Sequence, residues 1–468
     1  MVANDKAEQL LAFLGGLPES LALRLTRAVE VDRLSEGKQL PHDLILEGLR
    51  PVLRRARHVD RTPTPKRLFC SPFEDLLTSS PRKEKQKGRI ARSSITPVWN
   101  WLRQSLLEEQ TDAYVIALRE AVLAYQLPEA EARAREFRAA AGHAMQEALA
   151  DETGRKAARL ALGGESVLAD ADEMAILLSV APLICELQET MPKPAPAMTD
   201  ELLWALRALY DRLAVDFADA SAYVAVVAMD RLERPWEALR LPLLVARQSQ
   251  DTLISGTDMG LVGDLLLADL NTHAAVIRSV KPQQFDAEQL TEHVANFALL
   301  SNGIVKEVEM RRDGRWGQQL MKDRAAVAEI MDDMMRKSPR EIVAAIPTLK
   351  TGAYAGGPRA PDLSRPFDDE KGARALNCAR LLAGCKHLAA TAAFGASFGA
   401  ANDEACVALK SYSEDIVREL RASQGEKRAR VEQYFVLAVE LTDILFSPEE
   451  GEFLRRRGRS AVSGQAAA

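Results

Sequence analysis

Apolar side chains recur along this chain at the spacing of a helix. Leu202, Leu206, Leu209 and Leu213 stand at i, i+4, i+7 and i+11, as do Leu266, Leu270, His273 and Ile277. Phe137, Ala141, Ala144 and Ala148 repeat the pattern, and Leu290, Val294, Phe297 and Ile304 continue it. Each set paints one helix face that must bury against a neighbour. No series of alternating strands joined by hairpin turns accompanies them. The pattern predicts an all-α protein, a multi-helix bundle or irregular helical-hairpin array with little or no β-sheet.

Three short stretches share a helix-start design: "SPFE" at 71–74, "SPRE" at 338–341 and "SPEE" at 447–450. Serine would cap, proline would fill the first turn, and glutamate would reach back to the cap. "TP" at 96–97 is a weaker version. Proline, glycine and charge then set the breaks. They predict an N-terminal helical region at 1–78, a basic linker at 79–95, and a helical lobe at 96–190. A Pro-rich linker follows at 191–199, then a central lobe at 200–350 and a Gly/Pro-rich loop at 351–367. A C-terminal helical hairpin at 368–458 and a disordered tail at 459–468 complete the expectation.

Composition narrows this picture. At 468 residues the chain is too long for one core. Aromatics are only 5%, and abundant Ala, Leu, Arg and Glu favour helix in a manner of bacterial style. The five cysteines are scattered with no CxxC pair, which suits free thiols in a reducing cytoplasm. The N-terminus, with Asp5 and Glu8, does not read as a signal peptide. No transmembrane segment is expected, the nearest stretch being "LAATAAFGASFGAA" at 388–401.

The common chemistries fail on spacing. "GASFG" at 395–399 fits a nucleophile elbow at Ser397, but its flank is helical and no histidine follows it. Close helix packing at Gly395 and Gly399 explains it better. His42–Asp43 lacks the earlier histidine of a metal phosphohydrolase. His143 and Glu147 are at most two ligands where zinc wants about four. His273 reads as a core histidine. No P-loop or GxGxxG occurs. Met321, Met331, Met334 and Met335 read as core. No cofactor, metal or catalytic residue is predicted, and a non-enzyme is favoured.

Charge carries the one strong asymmetry. Residues 50–92 hold thirteen Arg or Lys against four acids, a balance of +9, so a chain of net charge −6 carries −15 elsewhere. Arg54, Arg55, Arg57, Arg82, Lys83, Lys85, Lys87, Arg89 and Arg92 are the candidate docking cations. They would meet an outside anion, an acidic partner or the protein's own acidic lobes. Trp99 and Trp101 are candidate stacking platforms for nucleic acid, though they do not share a helix face. Leu68, Phe69, Phe73, Leu76 and Leu77 form a compact apolar set on a short helix, suited to docking or to the core. The expectation is a cytoplasmic, non-enzymatic scaffold or adaptor that binds a protein partner and uses 50–92 for electrostatic docking. The runner-up is a nucleic-acid-binding regulator using the same zone.

Overall fold

The computed structural model describes residues 2–34, 40–55, 63–79, 84–247, 250–281, 284–350, 359–364, 366–390 and 394–466. The chain is all-α, and the strands are two or three residues long. It divides into two compact units, Met1–Leu241 and Pro242–Ala468.

In the first unit α1 (Val2–Gly15), α2 (Glu19–Leu34) and α3 (His42–Arg55) close a small core of Leu14, Ala22, Leu49, Val52 and Leu53. Next come α4 (Pro65–Cys70), a 3-10 helix at Ser71–Leu76, α5 (Ile95–Trp101), α6 (Glu108–Leu123), α7 (Leu127–Ala148) and α8 (Glu152–Leu162). The unit continues with α9 (Glu165–Ser179), α10 (Ala181–Thr190), α11 (Asp200–Asp216), α12 (Ala218–Ser221) and α13 (Tyr223–Arg231). Helix α7 packs on α6 and α9 through Ala134, Phe137, Ala141 and Met145, all buried. The expected stripe thus turns onto Met145, because Gly142 lets the helix approach Leu178 closely.

The second unit contains α15 (Asp251–Ile254), α16 (Leu261–Ser279), α17 (Ala287–Glu307) and α18 (Arg315–Ala345). It ends with α19 (Asp369–Cys385), α20 (Gly395–Ala422), α21 (Gly425–Leu445) and α22 (Pro448–Ala466), while α14 (Arg240–Ala246) spans the division. Helix α18 packs on α16, α19 and α20, and α21 lies against α19, α20 and α22. Leu290, Val294, Phe297 and Ile304 are buried as the spacing predicts, as are Met331, Met334 and Met335; Met321 is exposed.

Several boundaries differ from expectation. The division at Leu241 cuts the expected central lobe. Of the three serine–proline starts, only Ser447 caps, accepting from the Glu450 amide at 3.3 Å. Ser71 and Ser338 instead donate back to the carbonyls of Leu68 and Met334. Pro339 therefore lies inside α18: the helix continues because packing outweighs one lost hydrogen bond. The 191–199 stretch is pinned, with the Ala195 amide on the Arg231 carbonyl at 2.7 Å and Met191 and Met198 buried. In the expected 351–367 loop, Arg359–Pro361 pairs antiparallel with Thr348–Lys350, while 351–358 and 365 lie outside the described residues. The expected tail is helical to Ala466, and Arg459 pairs with Glu452 at 2.6 Å. Among the described residues nothing approaches Gly399, so close packing there does not account for "GASFG". Among the described residues, the segment long and apolar enough to cross a membrane is 258–279, and half of its window is buried; the 388–401 stretch includes residues 391–393, which lie outside the described residues.

Candidate functional site

The basic segment is built into the first unit. Leu77–Thr78 pairs in parallel with Ile90–Ala91, Leu77 opposite Ile90, which carries residues 84–94 across α9. Beneath them α9 presents Asp170 and Glu173 at i, i+3 on one face, 2% and 4% exposed. Buried carboxylates of this kind require cations or amide donors. The basic segment supplies both.

Lys85 Nζ donates to Asp170 Oδ1 at 2.6 Å, to Glu173 Oε2 at 2.5 Å and to the Arg89 carbonyl at 2.7 Å. Glu173 Oε1 accepts from the Gly88 amide at 2.5 Å and from Tyr223 Oη at 2.7 Å. Asp170 Oδ2 accepts from Ser94 Oγ at 2.6 Å and from the Ala91 amide at 3.1 Å. Arg89 pairs with Asp230 at 2.7 Å, and Lys87 Nζ lies 5.9 Å from the Tyr223 ring centre. Gly88 turns the chain at φ +83°, a left-handed conformation that glycine adopts without a steric penalty. Burial and the Glu173 carboxylate both push the Tyr223 phenol up, so it stays protonated and donates.

A second acid is held in the same manner. Asp75 accepts from Lys193 at 2.7 Å, Arg231 at 2.9 Å and Gln188 at 3.0 Å. Burial alone would raise its carboxyl, but the two cations outweigh burial and hold it below the usual carboxylate range. Arg67 likewise reaches back to Glu30, at 2.9 Å.

The described cations of the zone therefore do not all face outward. Lys85 and Arg89 meet the protein's own acids, Lys87 is exposed over Tyr223, and Arg92 is exposed. Arg54 and Arg55 end α3, with side chains outside the described residues; Arg57, Arg82 and Lys83 lie outside them altogether. The apolar docking set is corrected too. Phe69, Phe73 and Leu76 are fully buried, and Leu68 and Leu77 are half-buried, so this helix folds onto its own core. Phe69 meets Phe73 and Trp99 edge-on at 5.7 and 5.5 Å, and Tyr114 stacks on Phe137 at 4.3 Å. Trp99 and Trp101 are each 5% exposed, which removes them as stacking platforms for a base.

Elsewhere, Ser397 bonds to Asp332 and to the Phe394 carbonyl on α20, with no histidine among those partners. His143 and Glu147 are exposed and 3.8 Å apart. Among the described residues no three His, Cys, Asp or Glu side chains form a metal-holding group. The five cysteines are free thiols. Sequence reasoning missed Asp170, Glu173, Tyr223 and Asp230, the partners that decide the zone. The available signal was three acids, Asp170, Asp172 and Glu173, on the apolar stretch "LADADEMAILL" at 168–178, where burial demands compensation.

Exposed apolar side chains occur in both units, Leu160 and Val215 in the first and Val407 and Val436 in the second. Val436 on α21 is 54% exposed and stands between two grooves of about 650 and 570 Å³, on the α19 and α22 sides. No protein-family model matches this chain, and neither a curated protein nor a solved structure is significantly similar to it.

Proposed function

We propose that this chain is a cytoplasmic, non-enzymatic helical scaffold that binds a protein partner. The carrying observation is the exposed Val436 on α21, flanked on both sides by grooves with largely apolar lining. Grooves between helices suit a partner helix. The non-enzymatic part is supported by the first unit's buried acids: Asp75, Asp170 and Glu173 are each satisfied by cations and amides. The five free thiols accord with a reducing compartment. Lys85 and Arg89, engaged internally, lend nothing to the nucleic-acid alternative.

The test is purification of the tagged chain from the cells that express it, after nuclease treatment and a high-salt wash. A protein partner retained in stoichiometric amount is the expected result. Nucleic acid retained alone before the nuclease step, or no partner in any preparation, contradicts the proposal.

A further inference from the structure

Building on the scaffold reading, we infer that the groove between α19 and α21 receives an amphipathic helix carrying lysine or arginine beside its apolar face. The floor is apolar: Phe367, Ala373, Leu376, Val436 and Leu437. Its charged rim is acidic, formed by Asp369, Glu432 and Glu440, with Glu432 paired to Arg428 of its own helix at 3.0 Å. Glu432, Val436 and Glu440 stand four apart on one face of α21, an acid–apolar–acid row on the ridge. From Ala429 to Glu440 the ridge runs about 16 Å, roughly three helical turns. An occupant of matching length would seat apolar side chains on Val436 and place cations against the two glutamates.

The sign of the charge selects the occupant. Three carboxylates repel phosphate, so neither nucleic acid nor an anionic lipid surface suits this rim. A second copy pairing ridge to ridge about a two-fold axis would set Glu432 against Glu440, like against like. Across the ridge, the α22 groove also holds Glu432, and its Arg455 and Arg459 pair with Asp443 and Glu452.

The experiment uses the full chain and two fluorescein-labelled model helices about 14 residues long, with leucine at i, i+3, i+4 and i+7. One carries lysine beside the leucines and the other glutamate; fluorescence anisotropy reads binding. The lysine peptide is expected to bind at least about tenfold tighter than its counterpart. Val436→Glu should weaken it by a similar factor, and Glu432→Lys with Glu440→Lys should reverse the preference. Circular dichroism checks folding. If the lysine variants fail to fold, Glu432→Gln with Glu440→Gln, expected to erase the preference, decides instead.

Equal binding of both peptides overturns the inference, as does unchanged binding to Val436→Glu. Self-association of the chain that Val436→Glu abolishes would assign the groove to a second copy and also overturn it. A stoichiometric protein partner retained undiminished by Val436→Glu would overturn the groove alone and leave the scaffold reading standing. Peptide binding as expected, with no partner in cells, would overturn the scaffold reading and not the groove chemistry.

Discussion

Lys85 Nζ lies 2.6 Å from Asp170 Oδ1, although 85 positions separate the two residues. The carboxylate is almost fully buried and the lysine side chain is 24% exposed. In such a pair the desolvation of both charges offsets much of their attraction. Its weight therefore shows when one partner is removed. The same pair closes the strap over α9, so the segment with the densest positive charge is part of the first unit's packing.

The turn that brings the strap onto Glu173 depends on Gly88. At φ +83° any other L-residue places its Cβ against the following carbonyl. Gly88→Ala is expected to lower stability by about 1–2 kcal/mol, read as a lower urea midpoint by tryptophan fluorescence. Gly163, at φ +85° with open space around it, provides the comparison. A Gly88→Ala midpoint within error of the parent's would remove the strain argument.

The second unit has several glycines with no room for a methyl group, and Gly263 is one of them. A Cβ at Gly263 would stand 2.3 Å from Trp316 Cη2, and Trp316 is 1% exposed with its indole N–H on Asp264 at 2.7 Å. Gly263→Ala should cost about 1–3 kcal/mol by displacing that ring. Trp316 is the second unit's single tryptophan, so fluorescence of a chain whose other four are phenylalanine reports the shift. An unchanged spectrum and midpoint would contradict this packing.

Acid should weaken the second unit through a histidine pair. His273 Nδ1 lies 2.9 Å from His293 Nδ1. Burial and then the neighbouring ring push His273 below its ordinary value, against Asp269 and Glu292. The unfolded histidine takes up its proton first, so this contribution is complete above about pH 6.5. It is lost as the pH falls toward the lowered folded value. Melting temperature should drop between about pH 7 and 5, and His273→Gln should flatten that slope. The same slope in the variant would contradict the assignment.

The helices were legible because their periodicity is local: Leu206, Leu209 and Leu213, and the 290–304 series, bury as spaced. Proline misled where tertiary packing prevailed. "SPRE" reads as a start, yet Ser338 and Pro339 are buried inside α18. The basic zone was legible as charge but not as geometry. Its partners stand about 85 to 141 positions away, and no local rule pairs Lys85 with Glu173 or Arg89 with Asp230. The α21 grooves were hidden for the same reason, since they depend on which helices lie beside it.

The central claim is that Lys85 serves its own fold and not an outside anion. Urea unfolding of Lys85→Gln tests it most directly. Leaving Asp170 and Glu173 buried without their cation should lower the stability of the first unit by about 3–5 kcal/mol, and Lys85→Gln with Asp170→Asn should recover part of the loss. A Lys85→Gln midpoint indistinguishable from the parent's would contradict the claim and return this lysine to the surface.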